Sequence, residues 1–226
     1  MNKGIVIFGN KDFAELAKFY IENDPPHYHH VFYNSRVCAF TVDDEYVTEN
    51  SFNGLPVIPL SELEKHHPPD EYHMFAPMSH SNMNGDRKSV VERLESKNYK
   101  MINYVSSKAT VLSKLPSFSN LFILEDNTIQ PFVKVGKNIV MWSGNHIGHH
   151  STIGDDVFFT SHVVLSGHCK VGNGSFFGVN STIRDGVKIG EKSLVSMGAL
   201  ITKDTDSCGV YMGVPAKKIK TIDEVG

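Results

Sequence analysis

The sequence predicts a small α/β unit, a parallel sheet with helices packed on it, followed by a parallel β-helix. Three observations carry that expectation. Short apolar runs alternate with helically spaced segments over roughly the first hundred residues. Every sixth residue from Ile123 to Ile201 is apolar, and glycine follows that apolar position at Gly136, Gly148, Gly154, Gly172, Gly178 and Gly190.

The first element is the run Gly4 to Phe8, closed by Gly9, which reads as a buried parallel strand. The segment KDFAELAKFYIEN that follows sets Phe13, Leu16, Ala17 and Tyr20 at helical spacing. A second strand is expected from Arg36 to Asp44 and a third from Tyr72 to Met78, with a helix inside DRKSVVERLESKN. Strands alternating with helices define a first domain over residues 1–107.

From residue 108 to 226 the rhythm changes. The apolar series is Ile123, Ile129, Val135, Met141, Ile147, Ile153, Phe159, Leu165, Val171, Phe177, Ile183, Ile189, Val195 and Ile201. Four residues after the apolar position stands a small or branched side chain at Ser151, Val157, Val163, Cys169, Ser175, Ser181, Val187, Ser193 and Ala199. Each hexad makes one short face of a triangular prism, so three hexads complete a coil and apolar residues stack on equivalents 18 positions away. Extended back to Val111, the register is broken only at Ser117. Periodicity by itself leaves the hand of the coil open.

Composition narrows the function classes. A chain of 226 residues that is 40% hydrophobic can bury an ordinary core, and a net charge of −3 gives no electrostatic reason to expect nucleic acid or an anionic membrane as partner. Cys38, Cys169 and Cys208 are odd in number and widely spaced, which suits a reducing cytoplasm better than a disulfide framework. The apolar run at the N-terminus is too short for a signal-peptide core or a membrane span.

The polar focus of the chain is WSGNHIGHHSTIG, Trp142 to Gly154. With Ile147 pointing inward, His149 faces outward on the same hexad, and its neighbours one coil away are Pro131 and Gly167. Gly167 leaves room beside the imidazole. His150, His162 and His168 share the next hexad position, with His150 and His168 in one column and His162 on a different face. Three readings are open for the cluster: a metal site, a catalytic base with its supports, or a polar corner. Metal ligation needs three or four converging ligands; His162 lies on a different face, so one subunit does not supply all three easily, a trimer could do so across its boundaries, and no metal is expected. Asn145 is counted with the catalytic candidates and His146 with the substrate contacts, against the alternative that both are corner residues.

The hexads, the closing motif Gly213 to Lys217 within GALITKDTDSCGVYMGVPAKKIK, the NGLPVIPLSEL segment and the YVSSKAT approach to the coil together resemble the PglD and NeuD type of sugar acyltransferase. That resemblance implies a left-handed β-helix, a homotrimer with CoA in the groove between subunits, and acetyl-CoA or another acyl-CoA as co-substrate. The implied reaction is N-acylation of a nucleotide-linked 3- or 4-amino deoxysugar for surface-glycan synthesis, with a dTDP-linked sugar suggested by PMSHSNMNGDR and GNHIGHHS. The family's catalytic histidine maps to His149, and His150 stands where the family has a carboxylate. Glu125, Asp126 or a backbone carbonyl are candidate substitutes for that carboxylate. Gly9, Asn10, Asp43 and Asp44 map to the nucleotide, although Gly9 is the lone glycine of its turn. Asp43 and Asp44 have an alternative reading as a solvated turn. Gly178, Gly198, Ala199, Pro215 and Lys217 map to CoA. Phe176, Phe177 and Trp142 are read as core or interface.

Histidine as a residue type suits a base that takes a proton from an attacking amine near neutral pH. The rival readings are a sugar O-acetyltransferase using the same base, and a β-helix scaffold or binding protein without chemistry.

Overall fold

The chain is described here by a computed structural model that covers residues 3–25 and 36–222. In chain order its α/β unit comprises β1 (Gly4–Phe8), α1 (Asp12–Asn23), β2 (Val37–Val42), β3 (Ser51–Phe52), β4 (Leu55–Pro59), the single turn α2 (Leu63–His66), β5 (Tyr72–Phe75) and α3 (Gly85–Ser96). β1 pairs in parallel with β2 and β5, and β4 extends the sheet beyond β2. β1 is apolar throughout because both its faces are covered: Ile5 and Ile7 enter one core, Val6 and Phe8 the other. The expected second and third strands are present in shortened form. The β3–β4 hairpin at the sheet edge has no counterpart in the expected elements; its shorter strand, β3, has only two residues, too few to carry a pattern.

The coil begins with strand Tyr104–Val105, paired in parallel with Phe122–Ile123, slightly before the expected boundary at residue 107. From there two-residue strands stack with an 18-residue offset into three parallel sheets, as in Val140 on Phe122, His146 on Thr128 and Thr152 on Lys134. The expected inward series is buried, apart from a half-buried Val135. A fully buried Ile, Leu or Phe contributes about 1.5–3 kcal/mol, so the repeated hexad is what holds the prism together. The small residues four positions on also point inward, among them Ser151, Cys169, Ser175, Ser181 and Ser193.

The corners share one backbone device. Every sixth residue from Asp126 to Gly198 has a positive φ, between 51° and 80°. Nine of these thirteen corner residues are not glycine, and seven of the nine are Asn, Asp or His, the side chains that best tolerate this left-handed region. His150, His162 and His168 are three of the seven.

The α/β unit is fastened to the outer face of the first coil sheet. Tyr104, Phe122, Val140, Phe158 and the half-buried Phe176 turn outward there and join the core formed by α1 and one face of the parallel sheet. Trp142 is half-buried against Phe13, with ring centroids 5.6 Å apart, and Phe177 lies inside the prism, as expected for core and interface residues. Polar ties reinforce the contact. The Asp24 carboxylate accepts from Tyr104 Oη at 3.0 Å and from the Ser107 N–H at 2.7 Å. Tyr20 Oη donates to Glu125 at 2.8 Å, and burial together with that carboxylate pushes the phenol up to about 12.

The deepest tie is Arg87, which is fully buried. Its guanidinium donates to Asn138 Oδ1 at 3.1 Å, to the carbonyls of Ser79, Asn138 and Asp156, and to Asn84 Oδ1. Burial pulls it down to about 10 while the Asp156 charge opposes that shift. Arg87 ends the segment PMSHSNMNGDR, whose Asn84 donates to the Gly174 carbonyl at 3.0 Å and whose His80 packs on Phe176 at 4.6 Å. This segment therefore latches the two parts of the chain together.

Candidate functional site

The corner after strand His146–Ile147 exposes His149 and His150 side by side. Their Nδ1 atoms are 3.0 Å apart, so one ring donates and the other accepts. The backbone beneath is held in register: the His149 N–H donates to Gln130 Oε1 at 2.9 Å, and the His149 carbonyl accepts from the His168 N–H at 2.9 Å. One coil on, the His168 ring stacks on His150 at 5.0 Å and 13°. Phe132, one coil back, packs against the other side of His150 at 4.7 Å.

The space beside Gly167, expected as room for a substrate, is where the His149 ring lies. A Cβ on Gly167 would stand 3.0 Å from His149 Nε2 and 3.0 Å from Asp185 Oδ1. The His149 Nε2 and Asp185 Oδ1 atoms are thus at most about 6 Å apart. Asp185 was not singled out from the sequence because it lies two coils beyond His149. The column His149, Gly167, Asp185, read in steps of 18, is the signal that would have found it.

Glu125 and Asp126, weighed as supports for His149, belong to a different corner. Glu125 accepts from Tyr20 and from Ser143 Oγ, and Asp126 heads the column of Gly144 and His162. Asn145 is corrected as well. It is 1% exposed and its amide is spent inside the coil, donating to Asn127 Oδ1 at 2.9 Å and to the Trp142 carbonyl and accepting from the Val163 N–H at 2.8 Å. No polar atom of Asn145 is left to face a substrate. His146 is half-buried on the outer face of its strand.

Gly9, Asn10, Asp43 and Asp44 do come together, at the carboxyl ends of β1 and β2 where open parallel sheets place ligands. The Gly9 N–H donates to the Thr41 carbonyl at 2.8 Å and Asn10 Nδ2 to the Tyr46 carbonyl at 3.3 Å. A surface depression there is lined by Asp43, Asp44, Ser61, Arg93 and Lys97. Asp43 forms a two-pronged ion pair with Arg93, the second hydrogen bond measuring 3.0 Å, which raises the guanidinium above its usual range. Hydrogen bonds from Ser61 hold the Asp44 carboxyl below its ordinary value. Arg93 and Lys97 add cationic groups that the sequence reading did not single out. Both lie on or just beyond the end of α3.

Gly178 and Gly198 lie at one corner in successive coils. Ala199 is 1% exposed and points into the prism, so only its backbone can meet a ligand. Pro215 and Lys217 are exposed on the terminal hairpin, Gly209–Gly213 with Ala216–Thr221. Cys169 is buried, which pushes its thiol up and removes it as a nucleophile.

Comparison with known proteins agrees with this architecture. Residues 169–203 match the hexapeptide repeat of succinyl-transferase. No curated protein matches the chain in sequence. Among solved structures, a histidine-to-asparagine mutant of perosamine N-acetyltransferase from Caulobacter crescentus, in complex with CoA and GDP-perosamine, superposes with a TM-score of 0.80 at 20% identity, covering 96% of this chain and 97% of its own. WeeI from Acinetobacter baumannii gives 0.78 at 20% identity over 96% and 100%. The acetyltransferase domain of PglB from Neisseria gonorrhoeae, in complex with acetyl coenzyme A, gives 0.63 at 19% over 97% and 100%. At these identities the likeness bears on the fold alone, across both parts of the chain. Among the described residues no helix is long and apolar enough to cross a membrane.

Proposed function

We propose that this chain is an acyl-CoA-dependent N-acyltransferase that acetylates the amino group of a nucleotide-linked 3- or 4-amino deoxysugar for surface-glycan synthesis in the cytoplasm. In this reading the coil is left-handed, the two domains divide near residue 107, three chains assemble, and CoA lies between neighbouring prisms. The observation that carries it is His149, an exposed imidazole with Nδ1 engaged by His150 and Nε2 turned to the gap at Gly167.

The chemistry follows from that pose. In the tautomer where His149 Nδ1 donates to His150, Nε2 holds the lone pair, on the Gly167 side. The sugar amine attacks the thioester carbonyl carbon, forming the C–N bond. His149 Nε2 takes the proton the nitrogen loses, and the C–S bond breaks to release CoA, whose sulfur takes up a proton. Asp185 lies on the Gly167 side of the ring, where its carboxylate can favour the positive charge the imidazole gains. A backbone N–H is the proposed donor to the developing oxyanion. The nucleotide is proposed to sit against Gly9, Asn10, Asp43 and Asp44, beside the Asp43–Arg93 and Glu64–Lys97 ion pairs. Gly178, Gly198, the Ala199 backbone, Pro215 and Lys217 are proposed to meet CoA.

The full-length likeness to enzymes crystallised with CoA and GDP-perosamine supports an aminosugar nucleotide as acceptor. The test is thiol release from acetyl-CoA against dTDP-, UDP- and GDP-linked 3-amino and 4-amino deoxysugars, with a dTDP sugar expected to be preferred. Turnover with one amine, lost in a folded His149→Ala variant, is the expected result. Silence across the panel with acetyl and longer acyl groups would move the assignment to a hydroxyl acceptor or to a scaffold.

A further inference from the structure

The three exposed histidines at this corner have a property that proton transfer does not use. One ring nitrogen from each of His149, His150 and His168 lies within 4.8 Å of the other two. The His149 ring stands nearly perpendicular to both partners, at 88° and 89°, while His150 and His168 are nearly parallel. His150 and His168 present parallel rings, so a shared ligand requires one of them to tilt toward the other.

Zinc–imidazole bonds of about 2.0–2.1 Å require ligand nitrogens about 3–3.5 Å apart. The His149 and His150 Nδ1 atoms already meet that at 3.0 Å. His168 needs a displacement of about 1 Å or a little more, small for an exposed side chain with two free torsions. The backbones beneath are held by the coil pairing, through His168 N–H to the His149 carbonyl and His150 N–H to the Pro131 carbonyl. Three imidazoles without a thiolate select zinc, copper or nickel over calcium or magnesium.

We propose that His149, His150 and His168 bind one divalent transition-metal ion, Zn²⁺ in the first instance, and that the bound ion silences the site by occupying a nitrogen of His149 and immobilising its ring. The binding stands on geometry alone, whereas the silencing rests on His149 being the base. A fourth position is left for water, and Asp185 stands on the Gly167 side of His149. The ion acts as an inhibitor that competes with the proton-accepting pose and takes no part in the reaction.

The experiment titrates the full chain, stripped of metal, with ZnCl₂ in a calorimeter, without CoA or sugar. His150→Asn and His168→Asn are run in parallel. Asparagine tolerates the positive φ of both corners, 59° and 57°, so these variants keep the fold, as a thermal melt verifies. One ion per chain, bound at least tenfold more weakly by each variant, is the expected result. Zinc should then lower acetylated-sugar formation, followed by mass spectrometry because the released thiol itself binds zinc. The half-inhibitory concentration should shift at least tenfold upward in His168→Asn. Equal affinity in the parent and both variants would overturn the site. Tight binding that leaves turnover unchanged would overturn the silencing and keep the site. If no acyl transfer is found with any acceptor, the titration still decides whether the metal binds.

Discussion

Two glycines in successive coils separate what the scaffold needs from what the site needs. At Gly148, a Cβ would stand 2.5 Å from Gly167 N and 2.5 Å from Ser166 C, both backbone atoms of the next coil. The Gly148 N–H to Leu165 carbonyl bond of 2.7 Å keeps those coils together, so nothing there can give by the required 0.9 Å or so. Gly148→Ala should therefore destabilise the fold by about 3 kcal/mol, at the upper end of ordinary overpacking. At Gly167 the obstructing atoms are His149 Cε1 at 2.9 Å and the ends of His149 and Asp185 at 3.0 Å, all on exposed side chains. Losing a glycine stabilises by about 0.4–1 kcal/mol through the unfolded chain, and deflecting two surface groups costs about as much, so Gly167→Ala should fall within about 1 kcal/mol of the parent. Its imidazole must nevertheless move by about 0.5 Å to restore contact distance. With about a hundredfold loss for a 1 Å misplacement, kcat should drop roughly tenfold while KM for acetyl-CoA changes little. Urea melts and initial rates of thiol release on both variants make the test. A Gly167→Ala enzyme with full kcat would refute the pose of His149, and one as unstable as Gly148→Ala would refute the packing argument.

Removing Arg87 strands the Asn138 and Asp156 groups it satisfies, so Arg87→Met should lose about 3–5 kcal/mol, read as a lower urea midpoint with an unchanged slope. Asn145→Ala should cost about 2–3 kcal/mol of stability, through its lost bonds to Asn127 and Val163, yet keep the parent's turnover per folded molecule. His73 is pushed down to about 4, first by burial and then by Lys3 and Lys100. The folded state thus holds it neutral while the unfolded chain protonates near pH 6.5, and stability present above that pH is lost as pH falls toward 4. The parent should lose about 1–3 kcal/mol over that window relative to His73→Leu, measured by urea melts at several pH values. Parallel pH curves for the two proteins would show that His73 carries no such shift.

The coil was legible because a period of six leaves each face only two or three side chains with which to state its direction, so every inward position must be apolar. β1 was legible for the related reason that both faces are covered. The β3–β4 hairpin was not, since its shorter strand has two residues. Within the site, the adjacency of His149 and His150 came directly from the sequence. Their distance from Glu125 and Asp126 did not, because chain proximity of some twenty residues crosses a corner as well as a coil. The 18-residue step, applied to outward positions as strictly as to inward ones, also marks the column Tyr104, Phe122, Val140, Phe158, Phe176. Its apolar character on the outside of the prism announces that something covers that sheet.

The density of histidine around residue 150 mixes two causes, and the backbone separates them. His150, His162 and His168 occupy corners with φ of 59°, 59° and 57°, positions the coil fills with Asn, Asp, His or Gly almost everywhere else. A histidine there is one of a few residues the turn accepts, so its presence alone says little about chemistry. His149 is under no such demand: its φ is not positive, its side chain is exposed, and neither the core nor the turn requires an imidazole. It is also the ring for which Gly167 leaves room. The neighbouring histidines are types the corner tolerates, whereas the identity of His149 is explained by neither turn nor core, which is why the proposed base is placed there.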